Sequence, residues 1–520
     1  MIYILTKYNK GYSWYIQNYA YVKGYYFDNK NNYFEGINFA TNIDQIKSKN
    51  DFETVINSAN GIFSIIYTDG NKCFAAVDIV RTFPLFYCKI GSDFYISDSI
   101  ELLIIQKKEI KKNLNGINDI LLAGYVTGSE TLIEEIYQLR GGEILYIENN
   151  NLSTCFYHTY INTEITNDNF DISQKKLDVA LQNIFERLTI AIKNQPVFIP
   201  LSGGYDSRLI AMMLKEHGIK NIMCFTYGRK YNNPEIDISR QVAKKLGLDW
   251  MYIEYTDKLI DNYLTSDFFK DYFPFSANYV SMFFMQEFFA VKYLLDNKYL
   301  DDNPVFIPGH SGDFIAGSHI SDIKEICSKK YLSHKIIEKN FTLSKIKLEK
   351  YLIKDRISDQ LTNKDKYSFI DYENWDLIER QAKYIVNSAN IYNHAGCKQA
   401  LPLWDKELVD FFARTPYYYK KYNLLYRTLL ESYFKKHNIL FLNELQADKK
   451  HITIQRFKNR VKKFFPISYI KKKLIENDWV FYNNITQIML EDMKKRNKPI
   501  NTNYKRYGNI IIQWYLSKIF

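Results

Sequence analysis

The chain has 520 residues, of which 46% are hydrophobic, and a formal net charge of +11 at pH 7. Its length is sufficient for about two to four domains with cores of their own. No stretch reaches the roughly 18 apolar residues of a membrane span, and the apolar run in MIYILTKYNK is too short for a signal peptide.

Six cysteines lie far apart along the chain and form no C-x-x-C pair. This spacing indicates neither a zinc knuckle nor a disulfide framework, and we therefore expect a cytoplasmic protein without a membrane span. Basic residues concentrate in RFKNRVKKFFPISYIKKK, residues 456 to 473. Such a run either meets phosphates or an anionic membrane surface, or forms a solvated helical face.

Residues 1 to 160 predict a β-rich α+β domain. GIFSIIYTDG and KCFAAVDIV are short apolar runs joined by Asp69-Gly70-Asn71, which is typical of a β-hairpin. A helix is expected near residues 115 to 125. Further strands are expected in FPLFYCKI, FYISDS and GGEILYIENNN.

Residues 170 to 520 predict a second domain of the α/β type. After a helix at about 170 to 193, strands are expected at 197–201, 224–228 and 251–255, and helices at 206–216 and 235–246. Strands that alternate with helices indicate a parallel sheet with crossover helices. The rest of the chain, from about residue 280, reads as mostly helical.

The segment SGGYDS, residues 202 to 207, lies where the first of these strands meets its helix. Parallel sheets bind ligands at the carboxyl ends of their strands. Gly203 and Gly204 allow a close backbone approach, the helix start attracts anions, and Ser202 and Ser207 add hydroxyl donors. These features predict a phosphate site.

Asp206 would repel a phosphate unless a cation lies between them. Mg²⁺ commonly takes one or two carboxylates together with phosphate oxygens, so we predict that Asp206 is a metal ligand. The alternative is an N-capping aspartate at the helix start. The pattern is not a Walker A loop, and it matches the S-G-G-x-D-S loop of the ATP pyrophosphatases.

A second carboxylate follows another predicted strand, Val305 to Ile307. The segment NPVFIPGHSGDFIAG places Gly309, Gly312 and Asp313 in the loop after this strand. Because strand ends of one sheet share an edge, we expect Asp206 and Asp313 to hold Mg²⁺ together.

These motifs resemble those of the asparagine synthetase family along nearly the whole chain. SGGYDS resembles its pyrophosphate loop and GHSGDF its G-E-G-A-D-E loop. PEIDISRQVAKKLG and LPLWDKELVDFF also have counterparts there. GIFSIIYTDG, PLFY and QLRGGEILYI resemble the family's glutaminase domain.

The resemblance implies a fold and a reaction. The N-terminal domain would be a sandwich of the N-terminal-nucleophile glutaminase type, and the C-terminal domain an adenine nucleotide alpha hydrolase-like (PP-loop) sheet with added helices. ATP would adenylate a small-molecule carboxylate, pyrophosphate would leave, and ammonia or an amine would attack to give an amide and AMP. ATP would contact the SGGYDS loop, Gly309, Leu201 and, beside adenine, Phe225, Thr226 and Tyr227.

The chain lacks the N-terminal cysteine of the family's glutaminases. Ile2 follows Met1, and the first cysteine is Cys73, which we predict to be a core residue. We expect no glutamine hydrolysis, with nitrogen supplied by ammonia, an amine or a separate glutaminase. A homodimer is a further expectation.

The residues expected to act on the substrates also depart from the family pattern. His310 replaces the first glutamate of G-E-G-A-D-E and would act as a general base; a loop histidine without a role is the alternative. Lys398 replaces a glutamate and suits an acidic substrate such as a uronic acid, as in members from surface-polysaccharide pathways. Arg427 would stabilise the adenylate, with Lys421 or Lys420 as substitutes; the alternative is an arginine on a helix surface.

Two other readings stay open. An RNA-modifying ATP pyrophosphatase fits the net charge of +11, although no paired cysteines serve sulfur transfer and we expect no nucleic acid as partner. A non-catalytic nucleotide-binding protein fits the lost cysteine and glutamates.

Overall fold

The structure is a computed structural model and describes residues 1–161, 164–230, 233, 235–344, 350–362, 364–441, 475 and 478–520. The basic segment at 456–473 lies outside these residues. Within them, none of the helices has both the length and the apolar character that crossing a membrane requires.

The first part of the chain is rich in β-strands, as predicted. Two short helices interrupt the strands near residues 37 to 58. Its strands are β1 (Ile2–Leu5), β2 (Tyr15–Gln17), β3 (Ala20–Phe27), β4 (Tyr33–Glu35), β5 (Asn60–Thr68), β6 (Cys73–Val77), β7 (Phe86–Ile90), β8 (Asp93–Ser97), β9 (Tyr137–Gln138), β10 (Glu143–Glu148) and β11 (Asn151–Phe156). Its helices are α1 (Ile37–Asp44), α2 (Lys49–Ser58), α3 (Ile100–Gln106) and α4 (Leu114–Ala123).

These strands form two sheets that pack face to face. One sheet has the order β11-β10-β6-β5-β3-β2, with β4 also paired to β3, and the other has the order β1-β8-β7-β9. Alternation along β6 explains the layering, because Ala75 and Val77 point into the core between the sheets while Phe74 and Ala76 face α1 and α2. The predicted hairpin joins β5 to β6.

The second part alternates strands and helices. It contains α5 (Phe170–Ile192), β12 (Val197–Pro200), α6 (Tyr205–Glu216), β13 (Ile222–Gly228), α7 (Glu235–Leu246), β14 (Asp249–Glu254), α8 (Asp257–Leu264), α9 (Asp267–Ala277), α10 (Phe288–Asp296), β15 (Val305–Phe306), α11 (Gly312–Ile315), β16 (Ile326–Cys327), α12 (Lys329–Asn340), α13 (Lys350–Gln360) and β17 (Tyr367–Ser368).

The chain then continues with a long helical stretch and a helical C-terminus. These elements are α14 (Phe369–Asp376), a π-helical segment (Leu377–Ile385), a 3₁₀ turn (Val386–Ala389), α15 (Asn390–His394), β18 (Lys398–Gln399), α16 (Lys406–Ala413), α17 (Tyr417–Lys420), α18 (Leu424–Lys436), α19 (Tyr482–Lys495) and α20 (Gly508–Ile519). Single 3₁₀ turns lie at Ser318–Ile320, Pro402–Trp404 and Lys421–Asn423.

The predicted parallel sheet is present, with the order β14-β13-β12-β15-β18. Neighbouring strands pair in parallel register throughout this path. The central strands β12 and β13 are largely apolar and buried, as expected for parallel strands that are covered on both faces. The segments after β12 and β15 leave the sheet side by side, and these are the two loops that carry the predicted site.

The helices α1 and α2 were not predicted individually, although they fit the β-rich α+β domain predicted for residues 1 to 160. Phe39, Ala40 and Ile43 of α1 and Phe52 and Ile56 of α2 are buried against the larger sheet. A capping box links the N-cap Ser48 of α2 with Asp51, and this is a helix-start signal that the sequence carries.

The two parts of the chain pack against each other. The Tyr12 hydroxyl donates a hydrogen bond of 2.9 Å to the Gln399 carbonyl, and the Asn60 amide donates one of 2.9 Å to Asp405. One apolar cluster contains Tyr25 and Phe27 of β3 together with residues of the parallel sheet. The division at residues 160 to 170 stays a prediction.

Two residues of α1 allow a matched test of how this helix packs on the larger sheet. Phe39 is fully buried, whereas Ile37 is 55% exposed. We expect Phe39→Ala to lower the free energy of unfolding by about 3–5 kcal/mol through lost burial and the cavity left behind. Ile37→Ala is expected to change it by no more than about 0.5 kcal/mol. Urea denaturation measures both, and equal losses would contradict the packing described.

Candidate active site

The loop after β12 is closed by its own serines. The Ser202 N–H donates to the Ser207 hydroxyl over 3.1 Å, and the Gly204 N–H donates to the Ser202 hydroxyl over 3.1 Å. The helix α6 begins at Tyr205, its N-cap is Gly204, and no side chain caps it. The proposed capping role of Asp206 is therefore wrong.

The loop after β15 lies so close to the start of α6 that a side chain would not fit between them. A Cβ atom on Gly309 would lie 2.5 Å from the Ser207 nitrogen, and one on Gly312 would lie 2.6 Å from an oxygen of Asp206. Only glycine fits such an approach. Between them, Ser311 adopts a φ of 72°, and its hydroxyl donates a 2.9 Å hydrogen bond to Gln381 in the π-helical segment.

This approach brings Asp206 and Asp313 together. Oδ2 of Asp206 accepts a 3.0 Å hydrogen bond from the Asp313 N–H, and Oδ1 accepts one of 3.0 Å from the Tyr426 hydroxyl on α18. Burial, and next to it the charge of Asp313, raises the pKa of Asp206 to about 7. The Asp313 carboxylate accepts a 3.0 Å hydrogen bond from Ser318.

The donor set at this point fits Mg²⁺. Burial is the main cause of the raised pKa of Asp206, and the charge of Asp313 adds to it; a divalent cation would offset this like-charge repulsion. Among the described residues, His, Cys, Asp and Glu side chains do not converge in groups of three or more. Two carboxylates leave room for phosphate oxygens and water, the set in which Mg²⁺ is usually bound.

A cavity of about 220 Å³ opens beside the loop, at the carboxyl ends of β12 and β13. Predicted nucleotide-binding residues form much of its wall, and several residues that were not predicted complete it. The lining residues are Pro200, Leu201, Ser202, Ser207, Thr226, Tyr227, Glu235, Gln286, Glu287, Gly309, His310 and Trp479.

His310 and Glu287 face each other in the cavity wall. Their Nε2 and Oε1 atoms lie 4.0 Å apart, and Glu287 accepts hydrogen bonds from the hydroxyls of Tyr227, at 3.2 Å, and Tyr392. Burial lowers the pKa of His310 to about 4 and raises the pKa of Glu287 to about 7. The imidazole is therefore neutral at pH 7, and its Nδ1 atom is buried without a hydrogen-bond partner in the described part of the chain.

Several other predicted site residues lie outside the cavity lining. Phe225 is buried between the rings of Phe198 and Phe306, and Gly203, Gly204 and Asp313 belong to the two loops rather than to the cavity lining given above. Arg427 lies near the loop, with its guanidinium 5.7 Å from the Tyr205 ring and its Nε bonded to Glu431 at 2.7 Å.

None of the three predicted lysines is part of the cavity lining given above. Lys398 forms an ion pair with Glu35 of β4 and does not line the cavity, which corrects its assignment to substrate binding. Lys420, the substitute for Arg427, is fully buried in a 2.6 Å ion pair with Glu373. Lys421 lies against the rings of Tyr417 and Tyr422.

Residues of this region that sequence reasoning missed include Tyr426, Glu287, Glu235 and Trp479. Glu287 carried a usable signal, because it is the one acidic residue in the apolar run MFFMQEFFAV, and buried charges are rare without a role. Tyr426 directly precedes the predicted Arg427, but nothing local indicates that its hydroxyl reaches Asp206.

The parallel sheet with its covering helices defines an α/β protein, and the glycine loop and the paired carboxylates form a candidate anion site at its strand ends. The asparagine synthase family model matches residues 180–440, and the chain belongs to this family. The family prediction is thus confirmed, and membership together with the parallel sheet supports an adenine nucleotide alpha hydrolase-like C-terminal part.

Two individual proteins show how far the similarity extends. The "Microcin J25-processing protein McjC" of Escherichia coli is 25% identical over 286 residues, which cover 54% of this chain and 51% of that protein. The chain thus spans about half the length of this curated relative. An NH3-dependent NAD synthetase from Campylobacter jejuni, solved with the nitrate ion, is 17% identical and covers 28% of this chain and 59% of its own, with a TM-score of 0.19.

The raised pKa of Glu287 predicts a pH dependence of stability. Between pH 4.5 and 7 the native carboxyl keeps a proton that the unfolded chain releases, so stability must fall as the pH rises through this range. We expect the loss of unfolding free energy between pH 5 and pH 8 to be smaller in Glu287→Gln by roughly 2–3 kcal/mol. Urea denaturation at both pH values measures the difference. Glu134→Gln, at an exposed residue, is the control, and an unchanged slope in Glu287→Gln would contradict the assignment.

Proposed function

We propose that the chain is an ATP-dependent, AMP-forming ligase that joins a carboxylate to ammonia or an amine. The observation that carries this proposal is the pair Asp206 and Asp313 beside the loop Ser202–Gly203–Gly204, with Ser207 at the helix start. Family membership supports a carbon–nitrogen ligase. An RNA-modifying activity finds no support in the geometry described.

The first step of this reaction concerns the loop and the carboxylates. In this proposal Ser202, Gly203, Gly204 and Ser207 bind the outer phosphates, and Leu201, Thr226 and Tyr227 border the nucleoside. A substrate carboxylate oxygen bonds to the α-phosphorus, the bond to the bridging oxygen breaks, and pyrophosphate leaves. Asp206 and Asp313 would hold Mg²⁺, which when bound neutralises charge on the leaving group. Arg427 near Tyr205 adds a fixed positive charge at the loop.

The second step needs a proton acceptor. The amine nitrogen bonds to the acyl carbon of the adenylate, the carbon–oxygen bond to AMP breaks, and one proton must leave the nitrogen. His310 is neutral and lines the cavity, so we assign it as the acceptor, with Glu287 4.0 Å from its Nε2 atom.

A microcin is one candidate for the acid partner, because the Escherichia coli relative is a microcin-processing protein. A sugar uronic acid is the second candidate, but Lys398, on which it depended, pairs with Glu35 instead. The resemblance to members from polysaccharide pathways is then its remaining basis.

We further propose that the N-terminal part is a glutaminase-like scaffold without hydrolytic function. Two stacked sheets with outer helices support the comparison. Cys73 and Cys88 are buried, and this burial raises the pKa of each thiol, so neither is an activated nucleophile. Nitrogen would therefore come from ammonia, an amine or a separate glutaminase.

The reaction class is tested by its products and by the two carboxylates. Incubation with ATP, ammonium and candidate carboxylates should yield AMP and pyrophosphate, detected by ³¹P NMR. Asp206→Asn and Asp313→Asn should each lower turnover by about 10²–10³-fold, as expected for the loss of a charge that acts on the transition state. Asp301→Asn, at an exposed position, is the matched control. Formation of ADP would exclude the proposal.

The role of His310 is tested by separating the two steps. His310→Ala should retain ATP–pyrophosphate exchange, because adenylation does not use the imidazole, while amide formation falls by about 10²–10⁴-fold. His437→Ala, at a histidine paired with Glu216 on the surface, is the control. Equal loss of both activities would assign His310 to nucleotide binding instead.

A further inference from the structure

The Glu235 side chain occupies the anion-binding loop. Its Oε2 atom accepts a hydrogen bond from the Gly203 N–H, and a Cβ atom on Gly203 would lie 3.1 Å from the same oxygen. Glu235 also lines the cavity beside Ser202 and Ser207. A carboxylate oxygen therefore takes the donor that a phosphate oxygen would use.

The backbone of Glu235 is fixed, so only the side chain can move. Its N–H donates a 3.0 Å hydrogen bond to Asn233, and its carbonyl accepts one of 2.6 Å from Ser239. Asn233 in turn donates a 3.1 Å hydrogen bond to the Tyr227 carbonyl at the end of β13. The start of α7 is thereby attached to the strand next to the loop, and the carboxylate is aimed at Gly203.

Every backbone N–H from Ser202 to Gly204 is engaged within the protein. Ser202 bonds to the Ser207 hydroxyl, Gly203 to Glu235, and Gly204 to the Ser202 hydroxyl. Serine hydroxyls can rotate and bond to a phosphate in addition. Glu235 cannot share the site, because its negative charge repels a phosphate and its oxygen blocks the Gly203 donor.

We propose that Glu235 is an internal occupant of the phosphate loop, which the nucleotide must displace. This inference rests on the proposed function, since it takes the loop as the ATP site. Displacement weakens ATP binding, and it makes binding depend on a cation that screens the triphosphate from the nearby carboxylates. Glu235 thus sets nucleotide affinity without contacting the reacting atoms.

Calorimetric titration of the full chain with ATP, with and without Mg²⁺, tests this role. We expect Glu235→Gln to lower the Kd for ATP roughly tenfold, because a charge-assisted hydrogen bond no longer has to be broken. The gain should be larger without Mg²⁺. Glu235→Asp keeps the charge at the start of α7 but shortens the reach to Gly203, so it should also tighten binding and covers the case in which Glu235→Gln does not fold.

Asp237→Asn is the matched control. Asp237 lies in the same first turn of α7 and is 75% exposed, in an ion pair with Arg240. This variant removes the same charge without touching the loop, and its Kd should stay within about twofold of wild type. ATP binding that is unchanged or weaker in Glu235→Gln overturns the inference alone. Absence of ATP binding in the wild type and all variants overturns the proposed function and the inference together.

Discussion

The geometry of the site depends on one close backbone contact, between the loop after β15 and the first turn of α6. Gly309 and Gly312 have no room for a Cβ atom against Ser207 and Asp206. Because of this contact, the Asp313 N–H can bond to the Asp206 carboxylate, and both acids come to the edge of the same sheet. A larger residue at either glycine would separate the two loops, and with them the carboxylates.

Burial then decides the charge state of each group near this contact. It raises the pKa values of Asp206 and Glu287 and lowers that of His310. Hydrogen bonds from Tyr426 and from the Asp313 N–H partly offset the effect on Asp206. The result is a neutral imidazole in the cavity wall and, outside the cavity lining, two neighbouring acids at the loops after β12 and β15. The imidazole suits a proton, and the acids suit a cation.

The parts of the fold that the sequence predicted best are those with strong local patterns. Strands β12 and β13 and helices α5, α6 and α7 were located within one or two residues, because apolar runs alternate with amphipathic segments. Helices α1 and α2 were missed because they are short and sit between strands. The two-residue strand β15 was recognised only through the glycine-rich loop that follows it.

Site residues were likewise predicted where the local sequence forms a recognisable motif. Asp206 and Asp313 stand in motifs that can be recognised locally, whereas Tyr426 reaches Asp206 from 220 residues further along the chain. Lys398 was misplaced because a charge near a motif was assumed to face the site, while in the fold it faces Glu35. Contacts that depend on how distant elements pack carry no signature in the sequence around each residue.

Tyr25 and Phe27 of β3 lie against Ile184 and Leu188 of α5, and this packing limits which changes the N-terminal part can tolerate. Tyr25 and Phe27 share an apolar cluster with β12 and β13, and Arg187 of α5 forms a 2.9 Å ion pair with Asp405, which also accepts from Asn60. The N-terminal part therefore stabilises the part of the chain that carries the two loops. Such a chain can lose the chemistry of its N-terminal part, but deleting that part would expose a large apolar surface to water.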